Sequence, residues 1–360
     1  MTPDNRDNIP TIHDVAREAG VSRATVDRVL YRRGGVSSAT AEKVREVVER
    51  LGYSANPNAS RLASHKKLTF ACLIPKFEEG EYWSVAYKGF IDGSRSIQTY
   101  DVHTEIFLYD PDDVESFRRE SARILEARPS GVITNVVFAE ALKEFAASLD
   151  ACGIPYAFVD QKLDGLNYKV YFGADPWEAG RLGAYLLTHR MDVKDIAMVR
   201  ILRDSGRLAD PNKVRRKGFM DYIDKHYPEC RVHSVFIPPY NPQEIYRILD
   251  DFFKEHPEVK HITMANSRIH LISEYLRRNP VPDRHVVGFD DLDKNIEALT
   301  EGLVEFLVTR QISMQSYYTV SRFAEYVISG KLPAERDNYM HMDILNRLNA
   351  HHYEIQRLNL

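Results

Sequence analysis

Cysteine is scarce in this chain. Its 360 residues include three, Cys72, Cys152 and Cys230, odd in number and far apart, which excludes a disulfide framework and a Cys-x-x-Cys metal site. Each is expected to behave as a buried apolar residue in a reducing compartment. Long apolar runs are missing too: no stretch of 18 apolar residues occurs, and the first thirty residues lack the basic start and apolar stretch of a secretory signal. Neither membrane partners nor export is expected, and the expected location is cytoplasmic. A GxSxG elbow, a P-loop and a Gly-rich dinucleotide turn are all absent, and no histidine has a His-x-x-His or Cys partner at metal spacing. An enzyme, a metal site and a cofactor are therefore not expected. The acids Glu78, Glu79 and Glu81 resemble a hydrolytic pair only superficially, and read better as a solvated loop.

What is present begins near the amino end. Ala19, Gly20, Val21 and Ser22 join two apolar-periodic stretches through a residue able to take positive φ, so two short helices are expected to cross there. The first starts with Thr11 as cap and buries Ile12, Val15, Ala16 and Ala19. The second starts with Ser22 as cap and turns Val26, Val29 and Leu30 inward, leaving Arg23, Ala24, Asp27 and Arg28 on or beside its outer face. A third runs from the Ser37 cap to Leu51, with Val44, Val47, Val48 and Leu51 at helical spacing and Gly52 as its stop. Three such helices can close one small core.

Charge divides along the chain. The overall formal charge is −4, yet residues 1–67 carry 12 Lys+Arg against 8 Asp+Glu, while the remainder carries 36 against 44. A locally basic module on an acidic body is what phosphate contacts require, because neutralising phosphates releases counterions.

Residues 11–64 resemble the DNA-binding head of the lactose/galactose repressor (LacI) family, bacterial regulators that bind operators as dimers. The resemblance rests on DVAREAGVS, TVDRVL, the VSSAT start of the third helix, LGY, and an N-x-x-A-x-x-L pattern in Asn56, Ala59 and Leu62. It implies double-stranded operator DNA as partner, a homodimer, and the second helix as the recognition helix. Arg23, Ala24 and Arg28 are then the expected readers of base edges, and Ser22 and Thr25 the expected phosphate contacts. Asp27 and Tyr31 depart from the family's usual Ser and Asn, so the operator preference is expected to be atypical. In the hinge, Asn56 can cap, Pro57 suits the first helical position, and Leu62 is the expected wedge between base steps in the minor groove.

From residue 68 onward apolar runs alternate with helical patterns: 70–74, 103–108, 131–134, 156–159, 196–199, 232–237, 261–264 and 286–288. Such β-α-β alternation predicts parallel sheets with helices on both faces, and its length predicts two of them. Ligands in such folds bind beyond the carboxyl ends of strands.

The body also resembles the periplasmic-sugar-binding-protein-like core of the same family. The matching pieces are Glu81, Tyr82 and Trp83 before a helix reaching Gly89, FVD ending at Asp160, VYFGAD with Phe172 and Asp175, the Arg215–Gly218 spacing, Asn266, and VGFDD with Asp290 and Asp291. The resemblance implies an α/β fold overall: an all-α helix-turn-helix head with hinge helix, then a two-lobed parallel α/β sensor. The expected divisions are a head at 1–55, a hinge and linker at 56–67, and a sensor at 68–360. Within the sensor, lobe one is expected at about 68–160 plus 304–330 and lobe two at about 161–303 plus 331–360. A sugar presents an apolar C–H face and a ring of hydroxyls. Tyr82 and Trp83 suit the face, Asp160, Arg215, Asn266 and Asp290 suit the hydroxyls, and Phe172 completes the set. At the position where the family often carries Gln, the run FLVTRQIS offers either Arg310 or, by a one-residue slip, Gln311. With Arg215, a second cationic fork would favour an acidic sugar such as a uronate. The expected function is a ligand-responsive transcriptional regulator that represses from a palindromic operator. The alternatives are a sugar-binding protein or a sugar-processing enzyme on the same fold.

Overall fold

In a computed structural model of the chain, the structure describes residues 12–30, 34–51, 67–97, 102–189, 191–202, 212–280, 283–351 and 353. Thr11, Tyr31, Gly52 and the hinge residues Asn56, Pro57, Ala59 and Leu62 lie outside the described residues. The chain forms two compact units, dividing after Lys66.

The first unit is built from α1 (Ile12–Ala19), α2 (Arg23–Leu30) and α3 (Ser38–Arg50). Gly20 adopts φ +65°, and the amides of Gly20 and Val21 donate to the carbonyls of Arg17 and Ala16, which ends α1 and redirects the chain. Ser22 then caps α2, its Oγ accepting from the Thr25 amide at 3.1 Å, and Ser37 caps α3 through the Thr40 amide. Val15, Ala19, Val26, Val29, Val44 and Val47 meet in one core.

In the second unit the strands are β1 (Leu68–Pro75), β2 (Val102–Tyr109), β3 (Gly131–Thr134), β4 (Tyr156–Val159), β5 (Tyr171–Gly173), β6 (Asp195–Ile201), β7 (Arg231–Ile237), β8 (His261–Met264), β9 (His285–Phe289), β10 (Phe306–Thr309), β11 (Asp337–Tyr339) and β12 (Asp343–Leu345). The helices are α4 (Tyr82–Ser96), α5 (Val114–Ala127), α6 (Ala139–Ala151), α7 (Pro176–Thr188), α8 (Lys213–His226), α9 (Pro242–Glu255), α10 (His270–Arg278), α11 (Asp293–Thr300) and α12 (Ile312–Ser329). One sheet runs β2-β1-β3-β4-β5-β11 and the other β7-β6-β8-β9-β10-β12, each of six strands. All pairings are parallel except that of β12 with β10. The two sheets thus repeat one winding order, and each carries buried apolar side chains on both faces, as helix-covered parallel sheets require.

Lobe membership departs from the expected boundaries. β5 pairs with β4 and β11 with β5, so both belong to the first sheet; β10 pairs with β9 and belongs to the second. The chain therefore crosses between lobes at 174–175, 310–311 and 340–342. The reason is local: β4 and β9 each leave an open edge, and the next short apolar run, YFG or FLVT, completes it before the chain leaves the lobe. α12 then packs on α4 over Gly89, where a Cβ would strike the carbonyl of Ser313, and α7 packs on α8 over Gly180, where one would strike the carbonyl of Arg215.

Among the described residues no helix is long and apolar enough to cross a membrane. The cysteines do not behave alike: Cys72 is buried in β1, Cys230 is half-buried and its thiol pushed up to about 11 by burial, and Cys152 is exposed at the end of α6. The expectation that all three are core residues holds for Cys72 alone, because Cys152 follows the last buried turn of its helix.

Candidate functional sites

On the first unit, the outward side of α2 exposes Ser22, Arg23, Ala24 and Arg28, with Thr25 and Asp27 half-buried beside them. Burying Val26 and Val29 determines this arrangement, since residues three apart share a helix face and the intervening ones must point away. The Ser22 and Thr25 hydroxyls hydrogen-bond each other at 2.9 Å, so the expected phosphate contacts are oriented by the cap itself.

The second unit contains a cleft with a cavity of about 840 Å³, bounded by the carboxyl ends of strands from both sheets. Strand ends deliver the lining: Lys76 and Asp110 follow β1 and β2, Asn135 follows β3, Asp160 follows β4, Asn266 lies two residues past β8, and Arg310 follows β10. Tyr82 and Trp83 open α4 on the wall, in edge-to-face contact with ring centroids 5.5 Å apart.

At the deep end, Arg310 is 5% exposed and forms a bidentate pair with Asp290, Nε donating to Oδ1 and Nη2 to Oδ2, both at 3.0 Å. Its Nη1 donates to Asp160 Oδ1 at 2.6 Å, and the same oxygen accepts from the Tyr82 hydroxyl at 2.7 Å. The guanidinium also lies 4.9 Å from the Tyr82 ring centroid. Burial disfavours the Arg310 cation, but the charges of Asp290 and Asp160 outweigh burial and hold its pKa well above the usual arginine range. Removing one partner from a buried pair of this kind costs about 3–5 kcal/mol, because the other charge is left without compensation.

Tyr82, Trp83, Asp160, Asn266 and Arg310 thus line one cleft, whereas the remaining expected residues do not. Asp290 lies behind Arg310 and is 2% exposed. Arg215 is also 2% exposed, its Nη1 donating to the Ala265 carbonyl at 2.9 Å and its guanidinium 4.7 Å from the Phe289 ring centroid. Burial, with the charge of Arg310 nearby, pushes Arg215 down to about 10. The neighbouring Arg216 lines the cleft in its stead, because one helical step separates the buried side of α8 from its open side. Phe172 stacks on Tyr318 within the first lobe's core, 5.7 Å between centroids, since β5 joins that sheet. Gln311 points to His341 and Asp343 at the second crossover, which leaves the cleft position to Arg310. The cationic fork expected to meet an acidic ligand is therefore engaged by Asp290.

Sequence reasoning missed Arg268, which reaches across the mouth to Glu81 at 2.6 Å and stacks on Tyr240. Glu81 is accordingly an ion-pair partner rather than a freely solvated acid. The signal was available: Arg268 stands two residues after Asn266, whose Oδ1 accepts its amide in a tight turn. Asn295, fully buried, was missed as well; its Nδ2 donates to the carbonyls of Ser267, Phe289 and Asp290 and fixes the loop that carries Asp290. Among the described residues no group of three or more His, Cys, Asp or Glu is arranged to hold a metal ion.

Comparison with known proteins adds to this geometry. Residues 11–56 match the bacterial regulatory proteins of the lacI family, and residues 70–331 match the periplasmic binding protein domain. A solved structure of a putative LacI transcriptional regulator from Bacteroides fragilis is 32% identical, with a TM-score of 0.76 over 80% of this chain and 100% of that one. A glucose-galactose binding protein from Geobacillus stearothermophilus shares the fold at 17% identity, with a TM-score of 0.66 over 79% of this chain and 99% of that one. Catabolite control protein A of Streptococcus mutans is 44% identical over 98 residues, 27% of this chain; the match spans 29% of that relative's length.

Proposed function

The chain belongs to the lacI family of bacterial regulatory proteins, and from that premise we propose that it is a DNA-binding transcriptional regulator, acting as a homodimer on a palindromic operator and responding to a small polyhydroxylated effector. The observation that carries the reading is the pairing, in one chain, of an exposed cationic recognition helix with a two-lobed cleft lined by aromatic and hydrogen-bonding side chains.

Residues 1–55 serve as the head, 56–67 as the hinge, and 68–360 as the sensor. Arg23 and Arg28 read base edges and Ala24 offers apolar contact to a thymine methyl, while Ser22 and Thr25 hold phosphates. Asp27 beside them disfavours a phosphate on its side and suits a cytosine amino group. Asn56 and Ala59 shape the hinge, and Leu62 is its wedge. In the cleft, Trp83 and Tyr82 face the apolar side of the effector, and Asn135, Gln161 and Asn266 exchange hydrogen bonds with its hydroxyls. Because Asp290 already engages Arg310, a neutral sugar or polyol is favoured over a uronate. The effector acts through its differential affinity for two lobe arrangements, which is transmitted to the hinge and so to operator affinity.

The test is selection of binding sites from random duplex DNA by the full chain, with a thermal-shift screen of neutral sugars, polyols and uronates. Recovery of a two-fold symmetric site and stabilisation by a neutral sugar support the reading. Failure to enrich any DNA sequence would overturn it.

A further inference from the structure

The proposal that follows rests on reading the cleft as an effector site. Arg310 stands at a crossover: β10 before it belongs to the second lobe and α12 after it to the first. Asp290, which grips it in the bidentate pair, belongs to the second lobe, and Asp160 belongs to the first. The bond from Arg310 to Asp160 therefore joins lobe to lobe, and it does so with all three residues at least nine-tenths buried. A second ion pair across the cleft among the described residues, Arg268 with Glu81, sits at the mouth with side chains 21% and 31% exposed, where solvent screens it.

We propose that Arg310 is a built-in inter-lobe tie that also determines effector specificity. It fastens the second lobe to the first through Asp160, and it occupies two carboxylates, Asp160 in the cleft lining and Asp290 behind it. A ligand's hydroxyls then meet other polar side chains of the lining, among them Asn135, Gln161 and Asn266. The lobes consequently stay together by an internal contact, and the effector adjusts an arrangement that Arg310 already favours. Orientation supports this assignment. A guanidinium offers five N–H donors in a rigid plane, and here three of them are spent on two carboxylates from different lobes, a geometry that lysine or glutamine cannot reproduce.

Tryptophan supplies the readout, because the chain has two, Trp83 and Trp177, and Trp83 lines the cleft. In the full chain carrying Trp177→Phe, acrylamide quenching of Trp83 reports how far the lobes part, with no ligand present. Arg310→Gln is expected to raise the quenching constant at least twofold. Should that variant fail to fold with two carboxylates uncompensated, Asp160→Gly decides: glycine suits the backbone φ of +66° at that position, and Arg310 keeps its pair with Asp290. An unchanged quenching constant in the folded variant overturns the tie. Calorimetry with a panel of neutral sugars and inositols addresses specificity separately. Arg310→Gln is expected to bind at least one of them tenfold more tightly, because Asp160 and Asp290 become free to accept hydroxyls. No gain with any sugar overturns that half. If no sugar binds either chain, the effector reading fails, while the ligand-free quenching result still stands or falls by itself.

Discussion

Asp160 and Asp290 are counterparts in the two lobes. Each follows the fourth strand of its sheet, each adopts a φ of 66°, and each donates its amide to the strand beyond, to the carbonyl of Phe172 at 3.0 Å and of Val308 at 2.9 Å. The correspondence extends two residues further, which pairs Ala174 with Arg310. Symmetry of the backbone thus places two equivalent carboxylates after the fourth strands, and an arginine on one side only, at the position where the other lobe has alanine, joins them. The site is a symmetric frame with one asymmetric side chain.

Replacing Arg23 tests the DNA-reading face. Arg23→Ala is expected to relax base preference at one position of each half-site, with a loss of about 1–3 kcal/mol against the preferred base. Competition binding with single-base operator variants checks it, and a loss equal across all variants would reduce Arg23 to a phosphate contact.

A packing prediction concerns the second lobe. Gly180→Ala would drive a Cβ onto the Arg215 backbone carbonyl, so α7 and α8 must separate, at a cost of about 1–3 kcal/mol or more. A lowered melting temperature in the full chain checks this; an unchanged one would mean that the helices separate freely.

Stability should also fall in mild acid. Burial, together with repulsion from His285 and Lys260, pushes His261 down to about 4. The unfolded histidine titrates near 6.5. As pH falls through 6.5 the unfolded state gains a proton that the folded state refuses, so stability declines by up to about 1.4 kcal/mol per pH unit until the folded group titrates. Melting at pH 7.5, 6 and 5 is expected to show the decline, and His261→Gln to flatten it.

Much of this architecture was legible in the chain. The runs 131–134, 156–159 and 261–264 are strands with those bounds, because short apolar stretches between turn signals are buried on both faces of a parallel sheet. β11 and β12 were not legible: DNY and DIL are three residues each, polar in part, and owe their extended form to β5 and β10 rather than to any pattern of their own. Lobe membership escaped for a related reason, since periodicity shows which residues form a strand but not which edge it completes. Among site residues, Arg310 and Asp160 stood out by type and position, yet they are 150 residues apart and nothing local announces their bond. Arg215 shows the converse, a residue of the right type whose helix phase buries it against Phe289.

The central claim is that a ligand in the cleft changes the grip of the head on DNA. Fluorescence anisotropy of the selected operator, titrated with the full chain with and without a saturating amount of the sugar found by thermal shift, measures this directly. The account predicts a change in operator Kd of at least fivefold, matched by an equal factor in sugar affinity when operator is bound, as linkage requires. An operator Kd identical with and without the sugar would contradict it.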